Sequence, residues 1–200
     1  MRGAKLRVVL GLAGVVACLA VAGMAQDAVK VSFACVTFNN ATDAATGHAQ
    51  LTATVGKTGD SASDVVYLTF ANTGTAPCSI ARVYLDGAGV SALDVVSQSA
   101  GVSFSAKANG PRDLPGGNAI GFAADVMIGA KPPVQPNGVN PGESLVLAIR
   151  PAAGLSPAAI LAAIANGYIK IGIHVQGFAG GGSESFAGVP APSETPHPNE

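Results

Sequence analysis

The stretch YIKIGIHVQGF, from Tyr168 to Phe178, decides the fold because its side chains alternate in character from Ile169 to Gln176. One face carries branched apolar side chains, and the other carries small or polar ones. The apolar face consists of Ile169, Ile171, Ile173 and Val175, and the opposite face of Lys170, Gly172, His174 and Gln176. A period of two predicts a β-strand with one buried and one wetter face.

A short helix is predicted immediately before this strand, near residues 157–165. Ser156 is a suitable N-cap and Pro157 occupies the first helical position, where its missing N–H costs nothing. Asn166 and Gly167 supply a left-handed stop. The apolar side of the helix consists of Ile160, Leu161 and Ile164. A helix of about nine residues does not persist alone in water, so we expect it to dock on a sheet.

The rest of the chain reads as short strands between glycine and proline turns. The strand-like segments are VKVSFACVTF (29–38), AQLTATVG (49–56), DVVYLTFANTG (64–74), SIARVYLDG (79–87), ALDVVS (92–97), GVSFS (101–105) and ESLVLAIRP (143–151). NGPRDLPGG (109–117) and KPPVQPNGVNPGE (131–143) read as proline-rich loops. This spacing predicts an all-β fold, an antiparallel β-sandwich of immunoglobulin-like or jelly-roll-like type, with the one short helix.

The N-terminus has the pattern of a secretory signal peptide. Arg2, Lys5 and Arg7 precede an apolar run over residues 8–21, and small residues follow it. We expect cleavage after Ala25. An alternative interpretation takes VVAC (15–18) as a lipoprotein box, with Cys18 lipidated. The expected organisation is a signal peptide at 1–25, a single β-sandwich domain at 26–189 and a disordered polar tail at 190–200, with no membrane span after the signal is removed.

The expected mature chain is acidic and poor in charge. The signal peptide holds three of the 11 basic residues and none of the 12 acidic ones, which leaves 8 basic groups and a net charge of −4 with histidine neutral. No cluster of lysine or arginine remains in the sequence. Neutralising the phosphates of a nucleic acid requires a concentrated basic face, so the composition argues against a nucleic-acid partner.

Two cysteines, Cys35 and Cys78, belong to the expected mature chain. An exported protein folds where oxidation is permitted, so a disulfide between them is the favoured interpretation. The alternative is a pair of reduced, buried thiols that behave as small apolar residues.

His174, followed closely by Ser183, Glu184 and Ser185, suggests hydrolase chemistry at first sight. The alternation instead puts His174 on the wetter face of its strand, facing solvent, and GGGSESF lacks the G-x-S-x-G nucleophile elbow. His48 falls in a predicted polar loop and His197 in the tail, so no zinc spacing occurs. The scattered carboxylates are Asp60, Asp64, Asp86, Asp94, Asp113, Asp125, Glu143 and Glu184. The sequence therefore assigns no catalytic, cofactor-binding or metal-ligating residue and predicts no cofactor, although an irregular calcium site around Asp60 or Asp86 stays open.

Several segments, in order, resemble the exported bacterial proteins of the PEP-CTERM, or exosortase-sorted, kind. They are QLTATV, FANTG, SIARVYLDG, GVSFS, LPGG, NGVNPGESL and IKIGIHVQGFAGGGSESF, and they span about residues 50–186. The resemblance implies a secreted, cell-surface or extracellular-matrix protein associated with exopolysaccharide production, and it supplies no catalytic residues. Members of this family usually continue into a Pro-Glu-Pro motif, an apolar span and a basic end, whereas this sequence reads VPAPSETPHPNE (189–200). We therefore expect release, or retention by other means.

Three classes of function follow from the sequence. The first is an exported, non-enzymatic surface or matrix protein of structural or adhesive type, whose partners are extracellular polysaccharide or other surface proteins. The second is a module that binds glycan or calcium through the two proline-rich loops, which we expect at one end of the sandwich. The third is a secreted hydrolase.

Overall fold

Ten β-strands and two α-helices form the part of the chain that the computed structural model describes, residues 28–57, 65–108 and 110–190. The strands are β1 (Val29–Cys35), β2 (Leu51–Lys57), β3 (Val66–Asn72), β4 (Ser79–Asp86), β5 (Val90–Gln98), β6 (Phe104–Ser105), β7 (Val126–Ala130), β8 (Ser144–Pro151), β9 (Lys170–Gln176) and β10 (Ser183–Pro190). The helices are α1 (Ala41–Gln50) and α2 (Pro157–Ala165), and one 3-10 turn covers Gly117–Ile120.

All ten strands belong to one antiparallel sheet, in the order β5-β8-β3-β2-β1-β10-β9-β4-β7-β6. The sheet curls until β5, at one edge, packs beside β7 near the other edge. The all-β antiparallel class is thereby confirmed. Two separate sheets, as a sandwich has them, are not found among the described strands, because β1 pairs with both β2 and β10 and so joins the two halves.

The apolar faces of the strands meet inside the curl. The predicted core face of β9 is confirmed, since Ile169, Ile171, Ile173 and Val175 are all buried in the main cluster of apolar side chains. Phe33 and Phe70 stack at the centre of this cluster, with ring centroids 6.3 Å apart. One continuous core therefore holds both halves of the sheet together.

Helix α2 has the predicted bounds and the predicted ends. The Ser156 hydroxyl accepts a hydrogen bond from the Ala159 N–H at 3.2 Å, and Gly167 takes the left-handed conformation after the last turn, with φ of 74°. The predicted apolar side, consisting of Ile160, Leu161 and Ile164, is buried in the main core. The helix therefore docks on the sheet, as expected for a helix too short to be stable alone.

Helix α1 was not predicted, and the expectation of one helix is therefore wrong. Asn40 caps it by accepting hydrogen bonds from the N–H groups of Thr42 and Asp43 at 2.8 and 3.2 Å. His48, expected in a polar loop, lies in its last turn with Nδ1 2.8 Å from the Phe33 carbonyl oxygen. The sequence carries little apolar periodicity here because a glycine, Gly47, makes the close contact with the sheet.

The outer face of β4 and β9 is covered by residues 110–124, which we call the strap. Tyr84 of β4 packs with Leu114 and Phe122 of the strap in a second apolar cluster, and its hydroxyl donates to the Pro111 carbonyl at 3.3 Å. Burial raises the pKa of Tyr84 to about 12. Since the strap lies on the face that the alternation predicts to be wetter, that face is half-buried rather than open to solvent.

The predicted termini lie mainly outside the described residues. These include the signal peptide at 1–25, its cleavage after Ala25, and Cys18. The tail predicted at 190–200 lies outside as well, except for Pro190, at which β10 ends. Among the helices of the described part, none is long and apolar enough to cross a membrane.

Gly47→Ala should destabilise the protein although it improves helix propensity. Alanine is better than glycine inside a helix by about 0.5–1 kcal/mol. A Cβ atom at position 47, however, would lie 2.1 Å from Cζ of Phe186, a fully buried ring. Overpacking of this kind costs about 1–3 kcal/mol, so the packing cost should exceed the propensity gain. Urea unfolding measures the difference.

Gly56→Ala is the matched control, because a Cβ atom there would meet nothing within 4 Å. We expect this second variant to unfold close to the wild-type midpoint. A Gly47→Ala protein as stable as Gly56→Ala would show that α1 does not pack closely against Phe186.

Candidate functional site

A buried carboxylate, Glu184, gathers the end of β1 and the start of α1 around itself. The side chain has no exposed surface. It accepts hydrogen bonds from the backbone N–H groups of Asn40 and Asn39 at 2.6 and 3.1 Å, and from the hydroxyl of Thr37. The Cys35 thiol lies 3.6 Å from the same carboxylate. Charge-assisted bonds of this kind are stronger than neutral ones, so the carboxylate fixes this segment firmly.

The strand register explains why Glu184 is buried. Glu184 lies opposite Val175, and Phe186 lies opposite Ile173, so both belong to the core face of β10. Burial by itself raises the pKa of Glu184. The hydrogen bonds from Thr37, Asn39, Asn40 and Cys35 outweigh it and lower that pKa below its usual value, so the group is ionised at neutral pH.

The segment held by Glu184, residues 36–40, presents an exposed aromatic ring. Phe38 is 69% exposed and adopts φ of 48°, a conformation that costs a non-glycine residue strain. Its N–H donates to Cys35 Sγ at 3.4 Å, and the neighbouring Asn39 Nδ2 donates to the Ser183 carbonyl at 2.9 Å. We call residues 36–40 the Phe38 loop. Strain combined with exposure of an apolar ring is typical of a binding surface rather than of a packing position.

His174 contacts Ser185, not Ser183. Its Nδ1 lies 3.3 Å from Ser185 Oγ, because the two residues face each other across β9 and β10. His174 is half-buried, which corrects the expectation of a solvent-facing histidine. Burial lowers the pKa of His174, the neighbouring positive charge of Arg82 lowers it further, and the negative charge of Glu184 raises it. His174 is therefore neutral at pH 7.

In this structure the pair lacks two features of a hydrolytic triad. Ser185 has no exposed surface, and its N–H donates to Thr37 Oγ1 at 2.9 Å, so the residue is fixed within the sheet. Glu184, the carboxylate next in sequence, faces the core side of β10 and is already engaged by the Phe38 loop. A nucleophile must meet its substrate, and a triad needs an acid that orients the histidine. The arrangement fails on both counts.

Five further carboxylates of the described part hold turns or pair with bases. Their partners are Lys170 for Asp86 at 3.0 Å, Arg150 for Asp94 at 2.5 Å, the Ala124 N–H for Asp113 at 3.0 Å, the Gly87 N–H for Asp125 at 2.8 Å and the Asn140 N–H for Glu143 at 2.8 Å. Asp60, Asp64 and His197 lie outside the described residues. Among the described residues, no three His, Cys, Asp or Glu side chains come together as a metal ion would need. The ammonium of Lys170 occupies the position beside Asp86 where calcium was considered.

Cys35 and Cys78 are free thiols in separate surroundings. Cys35 contacts Glu184 and the Phe38 loop, whereas Cys78 is buried against Gln50 and Asn72. The expected disulfide between them is not formed in this structure and stays a prediction. Burial is the largest influence on both groups and raises the pKa of each thiol.

Sequence reasoning missed two features of this region, the anchoring role of Glu184 and the presentation of Phe38. A signal for the first was present. In the run SESF, Glu184 stands two residues before Phe186, so the alternation that buries Phe186 also buries Glu184. No comparable sequence pattern predicts the left-handed conformation of Phe38. That conformation depends on contacts with residues almost 150 positions away.

Glu184→Gln should lower the free energy of unfolding by about 2 kcal/mol at pH 7, because the amide NH2 would face N–H donors that now bind an anion. The loss should depend on pH. A carboxylate with a lowered folded-state pKa stabilises the protein above its unfolded value, about 4.5, and this contribution disappears as pH falls through the lowered folded value. The difference between wild type and variant should therefore narrow in acid, as measured by urea unfolding at a series of pH values.

Glu143→Gln provides the control, since Glu143 caps only a local turn with Asn140. It should have a small effect at every pH. A Glu184→Gln defect that stayed constant from pH 7 down to pH 3 would contradict the anchoring role of an ionised carboxylate.

Comparisons with protein-family models, with curated proteins and with solved structures find no match. The function is therefore inferred from the contacts within the chain itself. Those contacts describe a sheet whose last strand anchors an exposed loop through a buried anion. In these contacts Glu184 and Ser185, which resembled catalytic residues in the sequence, stabilise the fold.

Proposed function

We propose that this protein is an exported, non-enzymatic component of the cell surface or extracellular matrix, of structural or adhesive type and associated with exopolysaccharide. The observation that supports the proposal is that the polar residues of β10 stabilise the fold. Glu184 binds the Phe38 loop, and Ser185 is sealed within the sheet. Export is supported by the N-terminal pattern, and the matrix role by the resemblance of residues 50–186 to exosortase-sorted proteins.

The architecture supports a scaffold. We infer that the two halves of the curled sheet function as the two layers of a sandwich, because their apolar side chains share one core. The strap adds a third apolar layer over β4 and β9. Buried on both sides, β4 is suited to a protein that must persist outside the cell.

Fractionation of the native host should recover the protein in the medium or with the envelope, in the fraction that contains exopolysaccharide. Intact mass should show that the chain begins at Gln26, after loss of the predicted signal peptide. Val15→Arg is the control, because a charge within the apolar run should block export and leave the full-length chain in the cytoplasm. Wild-type protein found in the cytoplasm at full length would overturn the proposal.

A second candidate function, glycan binding, is favoured by the Phe38 loop. An exposed ring beside the exposed residues Asn39 and Asn40 offers an apolar face on which a sugar ring could pack. The strap reaches this loop, since a Cβ atom on Gly116 would lie 2.9 Å from Thr37 Cγ2. One of the two proline-rich loops, residues 109–117, therefore reaches the Phe38 loop at Thr37. The other, residues 131–143, packs where β4 begins, with Gln135 accepting from Ser79 at 3.1 Å.

If the Phe38 loop binds exopolysaccharide, Phe38→Ala should weaken retention of the purified protein on immobilised host polysaccharide about tenfold, which corresponds to about 1.4 kcal/mol. Tyr168→Ala is the matched control, because Tyr168 is the other strongly exposed aromatic residue, at 79%. That variant should bind as wild type does. Equal binding by all three proteins would exclude the Phe38 loop as the sugar site.

A further inference from the structure

A glutamine amide and a cysteine thiol lie against each other in the interior, at the junction of α1 and β2. Gln50 Nε2 is 2.9 Å from Cys78 Sγ and 2.8 Å from the Ala76 carbonyl oxygen. The two residues are 5% and 2% exposed. The carbonyl carbon of Gln50 is one covalent bond from Nε2, so an electrophilic carbon and a nucleophilic sulfur are held close together away from bulk water.

Gly74 allows this approach. A Cβ atom at position 74 would lie 2.1 Å from Gln50 Oε1 and 2.6 Å from Gln50 Cδ. The backbone of Gly74 does not occupy the left-handed region. Any larger residue would displace the Gln50 side chain, so the glycine is required for the space that it leaves rather than for its conformation.

Asn72 completes the surroundings of the thiol. Its Nδ2 lies 3.6 Å from Cys78 Sγ and donates to the carbonyl oxygens of Cys78 and Val139 at 3.0 and 3.3 Å. Its Oδ1 is buried and has no hydrogen-bond partner among the described residues. A buried acceptor without a donor is costly, and it marks a place where a group not present in the resting arrangement would be bound.

We propose that Cys78 and Gln50 form an intramolecular thioester. The sulfur of Cys78 attacks Cδ of Gln50, an S–C bond forms, the C–N bond breaks, and the amide nitrogen leaves as ammonia with the proton of the thiol. The step is a simple acyl transfer. Neither the sulfur nor the carbon changes its oxidation state, so no oxidant or reductant takes part.

The contacts suit each part of this step. Nε2 becomes basic once Cδ is tetrahedral, and the 2.9 Å approach of Nε2 to Sγ is the path by which the thiol proton reaches it. Burial raises the pKa of Cys78, so the sulfur is protonated at neutral pH and has to lose that proton as the S–C bond forms. Asn72 Oδ1 belongs to the amide whose Nδ2 lies 3.6 Å from Sγ, and it is a buried acceptor without a donor among the described residues. Exclusion of water protects the product from hydrolysis.

The thioester would react with primary amines or hydroxyl groups. Attack on the acyl carbon joins Gln50 to the nucleophile through an amide or ester bond and releases the Cys78 thiol. The pair lies directly under an exposed turn, residues 73–77, so a short displacement of that turn would admit the nucleophile. Amino sugars, polysaccharide hydroxyls and lysine side chains all have the required chemistry. The inference does not rest on the matrix function proposed above.

Intact mass and thiol counting of the purified secreted chain test the proposal. Wild-type protein denatured in acid should be lighter than its sequence by one ammonia, and alkylation without reductant should modify one thiol, Cys35. Treatment with methylamine should restore the second thiol and leave Gln50 as its methylamide. Two alkylated thiols in untreated protein would overturn the thioester. A loss of two hydrogens reversed by reductant would overturn it too and would establish the Cys35–Cys78 disulfide instead.

Three variants make the result specific. A chain beginning at Gln26 also loses ammonia if its N-terminal glutamine cyclises, so Cys78→Ala is the decisive comparison: it keeps that loss and should abolish the methylamine reaction. Cys35→Ala should retain the reaction. Gly74→Ala, which displaces Gln50, should reduce it at least tenfold while circular dichroism remains that of wild type. Methylamine incorporation that survived in Cys78→Ala would contradict the assignment.

Discussion

The buried carboxylate of Glu184 is the interaction on which the arrangement around α1 depends. It belongs to the last strand, yet its hydrogen bonds fix the chain where the first strand ends. From that point Asn40 starts α1, Gly47 seats the helix on Phe186, and the helix ends at Gln50 beside Cys78. A helix too short to be stable alone is thus positioned at both ends by contacts with distant residues. The cost of burying a charge is offset because several donors are supplied together.

The sequence predicts those parts of the fold whose signals are local. The alternation of residues 169–175 identifies a strand and its core face, and the Ser156 cap, Pro157 and Asn166-Gly167 stop identify α2 to the residue. Both signals come from short-range chemistry that operates within one element. The antiparallel all-β class follows from the same kind of pattern repeated along the chain.

Features that depend on contacts between distant segments could not be predicted in this way. Helix α1 lacks a clear apolar stripe because its contact with the sheet is made by a glycine. Strand β7 has only five residues, too few for a clear alternation, and it is recognised by its pairing with β4. His174 was placed on the correct face, but the strap that half-buries that face is held by Tyr84, Leu114 and Phe122, which are far apart in sequence. In the candidate site, the alternation in SESF indicates that Glu184 is buried, but nothing in the sequence indicates that it anchors the Phe38 loop.

The adjacency of β1 and β10 at the middle of the sheet has a kinetic consequence. Of the described strands, β1 is made first, but β10, the partner that β1 needs on one side, is made last. Until then the two halves of the sheet lack the strand that joins them, and the donors around residues 39 and 40 lack their anion. Such long-range closure slows folding. A polypeptide built this way leaves one edge of β1 open to other chains until β10 has been made.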